Sequence, residues 1–140
     1  MSIDKKLINR KMSLIRKDLR NLLFLDKISL KTFLSKSDYE ALAERYLERI
    51  IGRMIDINYH ILTEREGHIP ADYYNSFIEL GRKKYLPIKF VEKIADSAGL
   101  RNRLAHEYDE IDEKKIYQAA KSCLKDVPKY LKHIDKSLHL

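Results

Sequence analysis

The chain has one cysteine, three prolines and four glycines in 140 residues. A lone Cys123 excludes an internal disulfide and a thiolate metal cluster within one chain, which suits a reducing cytoplasm. So few Gly and Pro leave little material for tight turns, which argues against an all-β fold. No apolar run is long enough to span a bilayer, and the first residues do not lead into a signal-peptide core. No phosphate-cradling Gly-rich loop, nucleophile elbow or pair of catalytic carboxylates is present. His60, His68, His133 and His139 are scattered, without the helical spacing of metal ligands. The expectation is a cytoplasmic chain with no membrane contact, metal or cofactor.

What remains is helical and basic. Hydrophobic residues make up 44% and charged residues 35%, a globular mixture of one domain's length. The net charge is +7, and residues 1–36 carry all of it, with ten Lys/Arg against three Asp. Over residues 4–34, Ile8, Met12, Ile15, Leu19, Leu22 and Phe33 recur at steps of three and four or their multiples. This predicts one long amphipathic helix. Lys6, Arg10, Lys17, Arg20, Lys27 and Lys31 fall roughly opposite, as a stripe suited to RNA, an acidic protein or simple solvation. Phe24 projects towards that stripe.

Ser37 with Glu40 reads as a capping box, so a second helix is predicted from about Asp38 to Glu64. Its apolar residues cover more than one face. Such a helix is either central in a bundle or shared with a second subunit. Shorter helices are predicted over 71–83, with Tyr74, Phe77, Ile78 and Leu80 inward and a stop near Gly81, and then from Pro87. Gly99 marks a break. Asp112 caps a last helix whose stripe includes Ile116, Ala120, Cys123, Val127, Leu131 and Ile134, with Pro128 inside it. The fold class is all-α: an up-and-down bundle of four main helices plus a short motif-bearing helix in one domain over residues 1–140.

The chemistry concentrates in Arg101-Asn102-Arg103-Leu104-Ala105-His106-Glu107-Tyr108. On a helix Asn102 and His106 are i, i+4 neighbours, so the amide can orient the imidazole. Arg101 offers a planar fork for phosphate oxygens, and His106 titrates near neutral pH. The pair suits cleavage of RNA by its own 2′-hydroxyl, a reaction that needs no metal. One histidine does not readily serve as both base and acid, so a site doubled across a dimer axis is chemically sensible. Arg103, Lys17 and Arg20 are candidate RNA contacts, although Arg103 can equally pair with Glu107. The alternative for the whole stretch is a capped helix end, with His106 bonded to a carbonyl and Arg101 paired with an acid.

The stretch resembles the active-site motif of the HEPN superfamily: Arg, a polar residue, three more positions, then His. With Tyr108 two residues beyond His106, it is similar to the HepT branch, the toxins of HepT–MntA toxin–antitoxin pairs. Leu47-Glu48-Arg49, Ile69-Pro70 before Tyr73-Tyr74, and Gly99-Leu100 leading into Arg101-Asn102 follow the same layout, so the resemblance spans essentially the whole chain. It implies a homodimeric ribonuclease with Arg101 and His106 as the catalytic pair and Asn102 in support. It also implies that an MNT-type nucleotidyltransferase antitoxin adds AMP to Tyr108. Gly52-Arg53 depart from the pattern, where relatives often carry Gln and an apolar residue. A non-catalytic HEPN module that binds a nucleotidyltransferase or its substrate is the other function such a fold supports.

Overall fold

The computed structural model describes residues 2–106 and 112–140, with the backbone alone at Ala105 and His106. Seven α-helices follow in order: α1 (Lys5–Leu22), α2 (Leu30–Leu34), α3 (Ser37–Glu66), α4 (Tyr73–Arg82), α5 (Ile88–Ile94), α6 (Ser97–His106) and α7 (Glu113–Leu138). There are no strands among the described residues, and the all-α class holds.

α3 is the axis of the bundle. It touches α1, α2, α4, α6 and α7. Ile50, Ile51, Met54, Ile57 and Ile61 are all fully buried along it. Its excess of apolar positions is therefore consumed within one chain, and no second subunit is needed to cover them. Each such side chain contributes roughly 1.5–3 kcal/mol of burial. Gly67 ends α3 in the left-handed region, at φ 64°, with its N–H donated to the Leu62 carbonyl.

Polar groups fix how the helices meet. Asp18 of α1 is 1% exposed, and its Oδ2 accepts from Arg53 Nη1 at 2.5 Å and faces Arg49 Nε at 3.2 Å. The Arg53 that breaks the family pattern thus locks α1 to α3 inside the monomer. Tyr130 of α7 is fully buried, with its hydroxyl 2.5 Å from Asn58 Oδ1 and 3.1 Å from the Met54 carbonyl. Asn58 in turn donates to Ser76 Oγ, joining α3, α4 and α7.

Several local expectations need correction. The first helix is not continuous: it gives way to a 3₁₀ turn at Leu23–Lys27, and Ser29 then caps α2 by accepting from the Thr32 N–H. The apolar spacing survives this break because the short turn keeps Leu25 and Phe33 pointing at the core. Ser37 opens α3 as a helical residue, and the N-cap, Lys36, makes no side-chain capping bond. The stop near Gly81 holds, since α4 ends at Arg82, and Gly81 also serves packing. It is buried in the last turn, where an added Cβ would lie 3.0 Å from Val91 Cγ2, so it permits close approach of α5. Tyr74 faces outward at 46% exposure, while Phe77 and Leu80 are buried as expected. Gly99 lies inside α6; the break falls at residues 95–96. Phe24 packs on Tyr39, with ring centroids 5.7 Å apart. Asp112 caps α7 through the Lys114 N–H, and the helix runs unbroken through Pro128.

Candidate active site

Arg101 projects from α6 into a cleft of about 490 Å³ between the N-terminal half of α1, the middle of α3 and the start of α4. Its guanidinium carbon lies 5.5 Å from the centroid of the Tyr73 ring. This geometry attracts the cation to the ring face while its N–H edges stay available to an anion. Tyr59 stands edge-on to Tyr73, with centroids 6.0 Å apart, so two phenols and a guanidinium share one wall. Burial first, then the Tyr73, Asp72 and Glu79 groups, raises the Tyr59 phenol above its ordinary value. It is a neutral donor at physiological pH.

The cleft also holds an ion pair. Lys11 Nζ lies 3.1 Å from Asp56 Oδ2 across α1 and α3, and both residues line the cleft. Gly52 lines it too, with nothing within 4 Å of where a Cβ would stand. His60 is also in the lining, but its Nε2 accepts the Asp4 main-chain N–H at 3.0 Å. Asp4 in turn caps α1 by accepting from the Leu7 N–H. His60 therefore anchors the start of α1 and has that nitrogen's lone pair engaged. Two further histidines are occupied elsewhere: His68 Nε2 is 2.6 Å from Glu79, and His133 packs on Phe90.

α6 brings the backbone of His106 to its last position, five residues beyond Arg101. Tyr108 lies outside the described residues. Asn102 and Arg103 are exposed. Arg103 does not join the cleft; it borders a separate cavity with α5 and α7. Lys17 and Arg20 are exposed on α1, and Arg20 lines a groove against α7 with Arg16, Pro128 and Asp135. The α1 cation in the Arg101 cleft is Lys11 instead. Reasoning from sequence missed Lys11 and Tyr73. Tyr73 had a weak signal, as the first helical residue after the Asp72 cap, which aims it back along α4 at the Arg101 face.

Comparison with known proteins gives the chain's family and fold. The family model described as "Ribonuclease HepT-like" matches residues 15–134. The chain belongs to the HepT-like ribonuclease family. A tRNA nuclease HepT from Aphanizomenon flos-aquae (strain 2012/KM1/D3) is 36% identical over 137 residues, covering 98% of this chain and 93% of that protein. Among solved structures, a toxin–antitoxin with AMP-PNP superposes with a TM-score of 0.84 at 19% identity, over 94% of this chain and 98% of that one. A tri-AMPylated Shewanella oneidensis HEPN toxin in complex with its MNT antitoxin gives 0.83 at 20% identity, over 97% and 99% of the two chains. At these identities the structural matches establish the fold. No helix of the described residues is long and apolar enough to cross a membrane.

Proposed function

We propose that this protein is a metal-independent endoribonuclease toxin, with Arg101 and His106 as its catalytic pair. The observation that carries the reading is Arg101, held over Tyr73 in an open cleft on the helix that delivers His106. His106 takes the proton from a ribose 2′-hydroxyl, whose oxygen bonds to the adjacent phosphorus. The bond from phosphorus to the 5′-oxygen breaks, leaving a 2′,3′-cyclic phosphate and a free 5′-hydroxyl. Arg101 stabilises the charge on the crowded phosphate. Asn102 supports the imidazole from one turn earlier. Two chains pair so that the second copy of His106 returns the proton to the leaving oxygen.

The protein works in the cytoplasm, is controlled by an MNT-type nucleotidyltransferase, and has no resident cofactor. The relative named for tRNA cleavage makes tRNA the first substrate to test. Tyr108 is the switch: its phenol oxygen bonds to the α-phosphorus of ATP and pyrophosphate leaves. The added AMP places bulk and negative charge where substrate phosphate must sit. Lys11, with Lys17, Arg20 and Arg103 farther out, draws RNA by salt-sensitive attraction.

Incubation of purified tRNA with the protein in EDTA tests the reaction, with Arg101→Ala and His106→Ala beside it. Cleavage by the wild type alone supports the reading; equal cleavage by either variant removes it. Intact RNA with every substrate, from a chain that still binds its nucleotidyltransferase, would favour the non-catalytic module. Mass spectrometry after incubation with ATP and the partner tests Tyr108. Suppressed activity with Tyr108 unmodified would mean control by binding alone.

A further inference from the structure

The turn from α4 to α5 and the last turns of α7 enclose a cleft of about 740 Å³ that shares no lining residue with the Arg101 cleft. Lys83, Lys84 and Lys136 line it with His133 and His139, and no Asp or Glu does. Lys83 is drawn towards Glu66, with Nζ 3.9 Å from Oε2. Lys84 and Lys136 are exposed, and neither joins an ion pair among the described residues. Tyr85 holds the turn in place. Its N–H donates to the Leu80 carbonyl at 2.9 Å, its carbonyl accepts from Ser137 Oγ at 2.9 Å, and its hydroxyl donates to Glu66 at 3.0 Å. The Ser137 bond fastens the residue after Lys84 to the residue after Lys136, so one contact brings both cations to the cleft.

The backbone marks the same place. Among the described residues, two other than glycine have a left-handed backbone, Lys84 at φ 67° and His139 at φ 56°, and both line this cleft. Each lies just past the end of a helix, where glycine fits at lowest cost, as Gly67 does after α3. Lys and His at these positions give up backbone stability and place a nitrogen-bearing side chain at the cleft. A preformed concave surface with cations and no acidic side chain favours a polyanion, and lysine meets phosphate as a point charge. α4 gives the reason to choose RNA over an acidic protein. Its first residue, Tyr73, lines the Arg101 cleft, and Gly81 in its last turn lines this one. The helix sets them about 12 Å apart along its axis, so one RNA molecule is long enough to engage both clefts.

We propose that this cleft holds the phosphate backbone of the RNA that is cut in the Arg101 cleft, with Lys84 and Lys136 as its contacts. The choice of RNA rests on the ribonuclease reading. The two lysines grip the strand away from the reacting phosphate, so their loss should raise KM and leave kcat within about twofold.

Fluorescence anisotropy of labelled tRNA tests the cleft, using the full chain with His106→Ala as parent, in EDTA and across a salt series. At about 0.1 M salt, Lys84→Gly and Lys136→Ala should each weaken binding about fivefold. Each should also lower the slope of log Kd against log salt by about 0.7–0.9, the share of one phosphate contact. Glycine suits a left-handed residue, so Lys84→Gly should melt no lower than its parent while binding less RNA. A purely structural Lys84 would show no such loss of affinity. Lys129→Ala removes an exposed lysine of α7 outside the cleft and should change affinity by less than about twofold. Unchanged tRNA affinity in both cleft variants, or an equal loss in Lys129→Ala, overturns the proposal. Weaker capture of the nucleotidyltransferase with tRNA binding unchanged assigns the cleft to an acidic protein and overturns it too. Lysine-dependent binding of tRNA that the wild type leaves uncut keeps the cleft and removes the ribonuclease reading. Cleavage that needs Arg101 and His106, with tRNA binding indifferent to both lysines, does the reverse.

Discussion

The Arg101 guanidinium lies over the Tyr73 ring, 5.5 Å from its centroid, and this pairing joins α6 to the start of α4 within the cleft. The contact orients Arg101 without using its hydrogen-bonding edges. Tyr73→Phe keeps the ring and should leave RNA cleavage within about twofold. Tyr73→Ala removes it and should lower kcat/KM by roughly 2–10-fold, the range of a partly exposed cation–π contact. Kinetics on one defined RNA substrate check this; equal rates for the Phe and Ala variants would show that the ring does not position Arg101.

Asp18 ties α1 to α3 through Arg49 and Arg53. Asp18→Ala leaves two guanidiniums facing each other without their anion. Because Arg49 and Arg53 are partly solvated, the loss should be about 2 kcal/mol, below the usual range for a fully buried pair. Urea denaturation measures it. A midpoint unchanged from wild type would show that water replaces the carboxylate at no cost.

Gly81 should tolerate no side chain while Val91 is opposite. Gly81→Ala puts a methyl 3.0 Å from Val91 Cγ2 and should destabilise the chain by about 1–2 kcal/mol. Adding Val91→Ala in the same chain should make the Gly81 substitution nearly neutral in that background. Without such coupling, close packing of α4 on α5 is not the reason for glycine there.

The starts of α3 and α7 bring carboxylates together. Burial, then Glu113 and Glu44, raises Glu40 from 4.5 to about 7, and Glu44 is raised by burial and Glu113. A carboxyl raised on folding binds its proton more tightly in the native state. Its stabilising contribution is complete below about 4.5 and is lost as pH rises through about 7. Between pH 5 and 8, the wild type should therefore lose thermal stability relative to Glu40→Gln as pH increases. An unchanged stability difference between the two across that window would contradict a raised Glu40 carboxyl.

The features easiest to see in the sequence were those fixed by local chemistry. The Asp112 cap and the buried stripe from Ile116 to Ile134 follow from near neighbours along the chain. The misreadings came where tertiary contacts override that chemistry. The close approach of Val91 to Gly81 leaves no trace in the local sequence, and the break at Leu23–Lys27 is hidden because both segments aim their apolar residues at one core. The over-apolar α3 left two alternatives, a central helix or one shared with a second subunit, and its packing on α1, α2, α4, α6 and α7 makes it central. At the site, the spacing of Arg101 and His106 was legible, since both lie on one short helix. Lys11 and Tyr73 were not, because they reach Arg101 from helices 90 and 28 residues away in sequence, and no local pattern records that meeting.

The most direct measurement is the product of RNA cleavage in EDTA, with wild type, Arg101→Ala and His106→Ala assayed side by side on purified tRNA. The wild type should yield fragments ending in 2′,3′-cyclic phosphate, and each variant should lose at least a hundredfold in rate, consistent with removal of a general base or an electrostatic clamp. Wild-type cleavage that requires added metal, or an Arg101→Ala chain that cuts as fast as the wild type, would contradict the account.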